Sequence, residues 1–312
     1  MRIGLYFEPT PPPPDPDPAG VARRVEAVAA AERDGFDGCW LADTVGADAL
    51  TVLALAGART RRIELGAAVV PIHTRPPMTL ARQALTVNAA AGGRLVLGIG
   101  PTTRQYVELL GLSVPHVARY AREYLSVLAP LVRDGSVAFA GADFRVAAAL
   151  RVPGPRPCPI LVGALGPRML RLAGELADGT ITWMVGPRSF GGHIAPRIRE
   201  AAAAAGRPAP RLAVGVPVAV CDDEAAGRAQ ADRTFAVHAG LPAFRRMFAL
   251  EGASGPGDVA VCGPEARVER QLRAYAALGA SDVLAAIYPV GPDPAASEAR
   301  TYALLKRLVG RL

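Results

Sequence analysis

A chain of 312 residues, 51% of them hydrophobic, can bury a large core, and its length is that of one α/β barrel. The net charge is +7 and the isoelectric point about 9.7, yet the positive residues are almost all arginine, spread along the chain, and only 5% of residues are aromatic. This argues against a nucleic-acid partner, which calls for a basic stripe with stacking aromatics, and no apolar run is long enough to span a membrane.

Residues 3–7 read as a first buried strand, closed by Glu8. Residues 9–18, PTPPPPDPDP, are too proline-rich for helix or sheet and read as a stiff loop, expected to cover the pocket. A helix over 21–32 stops at Gly35, and a strand over 36–42 ends in Asp43-Thr44. Then come a helix over 48–58, a strand over 63–70, the connection PIHTRPP and a helix over 78–91. Gly92-Gly93-Arg94 turns into a strand over 95–99, closed by Gly100-Pro101-Thr102-Thr103. Helices follow over 105–110 and 118–133, and a small hairpin lies within 135–158.

The stretch from Pro159 to Met184 has the clearest punctuation. An apolar run reaches Gly163, Gly166-Pro167 opens a helix, Asp178-Gly179 ends it, and a second strand covers 180–184. Glycines there let an anion approach backbone N–H groups at a helix N-terminus, or simply relieve crowding in a βα turn. A helix over 194–205, a strand over 212–220 and a helical region over 222–250, broken near Gly240-Leu241-Pro242, come next. A helix over 264–278, a strand over 283–288 and a helix over 296–308 complete the chain.

Eight buried strands alternating with helices predict a (β/α)8 TIM barrel, read as a single domain over 1–312. A dinucleotide-binding sheet fits poorly, because Gly98-Ile99-Gly100 is followed by Thr103 where a third glycine belongs. Schiff-base chemistry needs a strand-end lysine, but Lys306 is the only lysine and falls in the last helix. His73, His116, His193 and His238 are far apart, so no metal site is expected. Cys39, Cys158, Cys221 and Cys262 show no redox spacing, and Met1-Arg2 leads straight into a strand without a signal-peptide pattern, so a cytoplasmic setting is expected. The strand ends then offer few ionisable groups and much backbone and apolar surface, which suits a flat heterocycle.

The segments FDGCWLAD (36–43), IELGAAVVP (63–71), GRLVLGIG (93–100) and ALGPRMLRLAGELADGTITW (164–183) resemble the luciferase-like flavin and deazaflavin superfamily, within it most closely the coenzyme F420-dependent oxidoreductases. The resemblance covers nearly the whole chain, in family order and spacing. It implies a TIM barrel with luciferase-like insertions that binds F420 at its C-terminal mouth and passes hydride between the deazaflavin and a small-molecule substrate. Position by position it implies that Asp43 contacts the ring region and that Ala68-Val69 forms a third-strand bulge with a non-prolyl cis peptide. Thr102 and Thr103 lie near the ring, and Gly163, Ala164, Leu165 and Gly166 bind the phosphate and tail. Trp183, Met184 and Gly186 flank the ribityl and phosphate region, with Arg168 and Arg188 within reach of the phosphate or tail. A homodimer through the helices after the second and third strands is implied too.

Two departures bear on chemistry. Thr44 stands where alcohol oxidisers of the family carry a histidine, and the carboxylate common after the fourth strand is replaced by Thr102-Thr103-Arg104-Gln105, with Glu108 a turn later. A reductase acting on a C=N or C=C bond is therefore expected, with Glu8, Asp43, Thr44 and Thr103 as the catalytic candidates. Glu8 is the proton donor of choice, since burial at a strand end raises a carboxyl's pKa. An FMN-dependent monooxygenase of the same fold and a flavin- or F420-binding protein without turnover are the alternatives.

Overall fold

The computed structural model describes residues 1–7, 19–113, 116–155 and 157–312. In chain order the strands are β1 (Arg2–Phe7), β2 (Gly38–Leu41), β3 (Glu64–Pro71), β4 (Leu95–Gly100), β5 (Ser136–Ala140), β6 (Arg145–Ala149), β7 (Ile160–Gly163), β8 (Gly179–Trp183), β9 (Arg211–Val220), β10 (Val261–Gly263) and β11 (Asp282–Ile287). Eight of them, β1, β2, β3, β4, β7, β8, β9 and β11, close a parallel ring, with β11 returning to β1 and β8 pairing with β9. This is the predicted (β/α)8 barrel. Both faces of its strands are covered, which is why they read as near-continuous apolar runs, LAVGVPVAV in β9 being buried throughout.

The hairpin β5–β6 falls where the sequence placed one, packing against the helix Val117–Arg133. The region over 222–250 breaks at Gly240-Leu241 as expected, and a second time at Phe235, giving helices Glu224–Thr234, Ala236–Ala239 and Pro242–Glu251. β10 was not anticipated. Its three residues are too few for a periodic signal, and it takes up the edge of β9 beyond the point where β8 ends. β8 stops one residue short of expectation because Met184 turns into the left-handed region, φ 51°.

The barrel's N-terminal end is plugged. Trp40, 1% exposed, fills the interior, and Gly4, Gly38 and Gly66 make room for it: a Cβ on Gly66 would fall 2.0 Å from its Cε3. Below the indole, the Arg211 guanidinium lies over the ring at 5.6 Å and is bonded to Glu64 and Asp282, whose carboxylates hold its pKa up despite burial. The C-terminal mouth is the end where barrel chemistry is found.

Candidate active site

On one side of the mouth, β3 bulges between Ala67 and Val70, and the Ala68–Val69 peptide is cis, where the resemblance places it. The Tyr6 hydroxyl, from β1, donates to Ala68 O at 2.9 Å. The Val69 side chain rests against the ends of β4 and β7, where a Cβ on Gly100 would come within 3.0 Å of it and one on Gly163 within 3.4 Å. Glycine at both strand ends keeps this patch flat.

Trp183 ends β8 and packs edge-on against Tyr6, ring centroids 5.1 Å apart, and against Phe235 at 5.8 Å. Its Nε1–H donates to His238 Nε2 at 3.1 Å. Indole N–H can only donate, so Nε2 must accept and His238 is neutral in this contact. Burial pushes its pKa down, in the same direction.

Beside the β3 bulge, in the loop after its neighbour β2, Asp43 is 7% exposed and both its oxygens are engaged. Oδ1 accepts from the Ala49 N–H at 3.1 Å, and Oδ2 from Arg75 Nη1 at 2.7 Å. The other arm of Arg75 meets Asp48, which also caps the helix Ala49–Arg59 through the Thr51 N–H. Burial alone would lower the Arg75 pKa, but the two carboxylates outweigh it and raise the value. Thr103 caps the helix Arg104–Leu109, its Oγ1 accepting from the Tyr106 N–H at 3.2 Å, and the Tyr106 hydroxyl donates to Thr44 O at 3.2 Å. A cavity of about 190 Å³ opens here, with Asp43, Thr44, Asp48, Thr74, Arg75 and Tyr106 in its lining.

The turn after β7 carries unfilled donors. Helix Pro167–Leu176 begins at Gly166 without a side-chain cap, and no described residue accepts from the N–H groups of Leu165, Gly166, Arg168 and Met169. A Cβ on Gly166 would meet nothing within 4 Å, and Arg168 is exposed, with no carboxylate partner among the described residues. After β8 the same kind of terminus is already filled. The Glu251 carboxylate accepts from the N–H groups of Arg188 (3.1 Å) and Ser189 (2.6 Å), and an Arg188 guanidinium nitrogen donates to Glu251 O. A Cβ on Gly186 would strike that carboxylate.

The barrel thus brings Ala68, Val69, Gly163 and Trp183 around one patch and puts Asp43 and Thr44, after β2, and Thr103, after β4, on either side of the β3 bulge, while Arg188 is turned to Glu251. Thr102 and Ala164 lie on the loops after β4 and β7. Glu8 and the loop 9–18 lie outside the described residues. Sequence reading missed Tyr6, Arg75, His238 and Glu251. Arg75 had a signal, as an arginine in the connection after the third strand.

The family model described as luciferase-like monooxygenase matches residues 1–303. The chain belongs to this family. Among its relatives, Rv3520c of Mycobacterium tuberculosis, provisionally named a coenzyme F420-dependent oxidoreductase, is 35% identical over 181 residues, 53% of this chain and 52% of that protein. The 5,10-methylenetetrahydromethanopterin reductase of Archaeoglobus fulgidus is 36% identical over 165 residues, 51% of this chain and 48% of that protein. The chain thus spans about half the length of these two relatives. Over its full extent the fold resembles the solved coenzyme F420-dependent tetrahydromethanopterin reductase of Methanopyrus kandleri, TM-score 0.80, at 22% identity, covering 99% of this chain and 98% of that one. No helix among the described residues is long and apolar enough to cross a membrane.

Proposed function

We propose that this member of the luciferase-like family is an F420-dependent oxidoreductase, acting as a reductase on a C=N or C=C bond of a small organic substrate. The observation that carries the cofactor assignment is the set of unfilled amides at Leu165, Gly166, Arg168 and Met169. It is a donor array at a helix N-terminus that fits a phosphate, with Arg168 beside it for a charged tail. The flat patch of Val69, Gly100 and Gly163 suits a planar ring, and Tyr6, bonded to Ala68 O, links it to Trp183, while Met184 is fully buried in the cluster against which Trp183 packs. F420-dependent relatives support the same choice.

When bound, F420 supplies a two-electron hydride carrier lacking the ring nitrogen N5 that supports a flavin hydroperoxide. The chain's part is to seat and orient it, exclude water and provide a proton. Glu8, directly after β1, is the proposed proton donor. Asp43, with both oxygens committed, is proposed to fix the loops around the 190 Å³ cavity, which with Thr44 and Thr103 admits the substrate. A homodimer through helices Ala49–Arg59 and Pro77–Ala90 belongs to this reading, and Leu55 and Met78 expose apolar side chains on them.

The family's monooxygenase description favours a second reading, an FMN-dependent monooxygenase fed reduced flavin by a partner. Titration of the purified protein with F420 and with FMN separates them. Micromolar F420 binding with FMN ignored, followed by oxygen-independent reduction of an imine or enoate by reduced F420, is the expected result. Tight binding of FMN alone overturns it.

A further inference from the structure

The unfilled amides after β7 sit on a peptide that could face either way. The Leu165–Gly166 unit lies in a turn, and Gly166 has no side chain to resist rotation. Turned one way, the unit presents an N–H to an anion; flipped, it presents a carbonyl oxygen, which repels one.

One side chain decides the orientation. His193 Nε2 lies 2.8 Å from Leu165 O. A carbonyl only accepts, so Nε2 carries the proton and the imidazole donates. In a trans peptide the C=O and the following N–H point in opposite directions. With Leu165 O held on His193, the Gly166 N–H points away from His193, and no described residue accepts from it.

The histidine is itself firmly held. It is 5% exposed and sits in the single wide turn Phe190–Ile194, a π-helical segment of the kind that often marks functional sites. Phe190, fully buried against Tyr275, and buried Ile194 anchor that turn, and Arg197 Nη1 donates to His193 O at 3.1 Å. Burial lowers the His193 pKa, which keeps the ring neutral near pH 7.

We infer that His193 is the positioning residue for the cofactor's phosphate: by clamping Leu165 O it fixes the Gly166 N–H as a donor. The inference rests on the cofactor seating proposed above. The test compares the affinity of F420 with that of the same deazaflavin bearing its ribityl chain but no phosphate, and of FMN with riboflavin, by fluorescence titration. The wild type is set against His193→Phe, His193→Gln, which keeps an N–H donor, and Gly166→Pro, which removes the aimed N–H at a φ of −85° that proline accepts.

In the wild type the phosphorylated ligand of one pair binds tighter. His193→Phe and Gly166→Pro shrink that preference about tenfold or more, as expected for loss of a hydrogen bond to a charged group. His193→Gln restores it. If His193→Phe weakens both ligands of a pair equally, or leaves the preference intact, His193 is only structural and the inference falls while the seating stands. Should the His193→Phe variant fail to fold, Gly166→Pro with an undiminished preference overturns it equally. No phosphate preference in either pair for the wild type overturns the seating and the inference together. A preference in the FMN pair alone overturns the F420 reading and leaves His193 to be judged on that pair.

Discussion

Arg75→Met tests whether the carboxylates at the mouth are committed or free. Nη1 lies 2.7 Å from Asp43, Nη2 meets Asp48, and the Asp43 and Arg75 side chains are only 8% and 18% exposed. Removing one partner of a buried pair costs about 3–5 kcal/mol, because the survivor stays charged and poorly solvated. Here Asp43 keeps the Ala49 N–H, and Asp48, 34% exposed, can rehydrate. The lower end, about 3 kcal/mol, is therefore expected. Urea unfolding measures it, and Asp43→Asn added to Arg75→Met should recover about 2 kcal/mol of the combined single losses, the coupling of a contacting pair. A loss below about 0.5 kcal/mol, or strict additivity, would mean that Asp43 is solvated without Arg75. The carboxylate would then be free to serve as a base, contrary to the reading above.

Gly66→Ala puts a methyl 2.0 Å from the buried Trp40 ring and should cost about 3 kcal/mol, whereas Gly46→Ala, whose Cβ meets nothing, should be neutral; paired thermal melts decide. His73, 7% exposed and stacked on Tyr120, has no hydrogen-bond partner for either nitrogen among the described residues, so His73→Phe should stabilise by about 1 kcal/mol. Burial lowers the His73 pKa, so as pH falls through about 6.5 the unfolded chain takes up this proton first and stability drops; His73→Phe should flatten that slope, and an unchanged slope between pH 7 and 5 refutes the assignment. Glu8→Gln should lower kcat by about 10²-fold or more in the reductive direction and leave F420 affinity unchanged; an unaltered kcat removes Glu8 as proton donor.

The barrel was legible because covered parallel strands have a signature: apolar runs of five to ten residues such as those of β4 and β9, each bounded by glycine, proline or aspartate. The glycine turn at 163–166 and the hairpin were legible for the same local reason, and the third-strand bulge through its family resemblance. What escaped were side-chain pairings between loops that the barrel sets side by side. Arg75 meets Asp43 across 32 residues, Arg188 meets Glu251 across 63, and His193 reaches Leu165 across 28. None is periodic, and each histidine read singly looks like any loop histidine. The break at Phe235 and the strand β10 escaped because their elements are only three or four residues long.

These pairings bear on what the chain can do. Around the mouth Asp43 is bound to Arg75, Asp48 to Arg75 and Thr51, Glu251 to a helix terminus, and His238 to Trp183. A carboxylate or imidazole used in this way holds geometry, and taking up a substrate proton would weaken the ion pair or hydrogen bond it makes. After β7, the N–H groups of Leu165, Gly166, Arg168 and Met169 have no acceptor among the described residues, and the exposed Arg168 lies beside them. Such a site binds an anion and orients what is attached to it, but performs little acid–base work of its own. That distribution is what a cofactor-carried reaction requires, where the protein supplies seating and electrostatics and the bound group supplies the electrons. It also makes the seating peptide, with His193 behind it, the place where a single substitution should separate binding from folding.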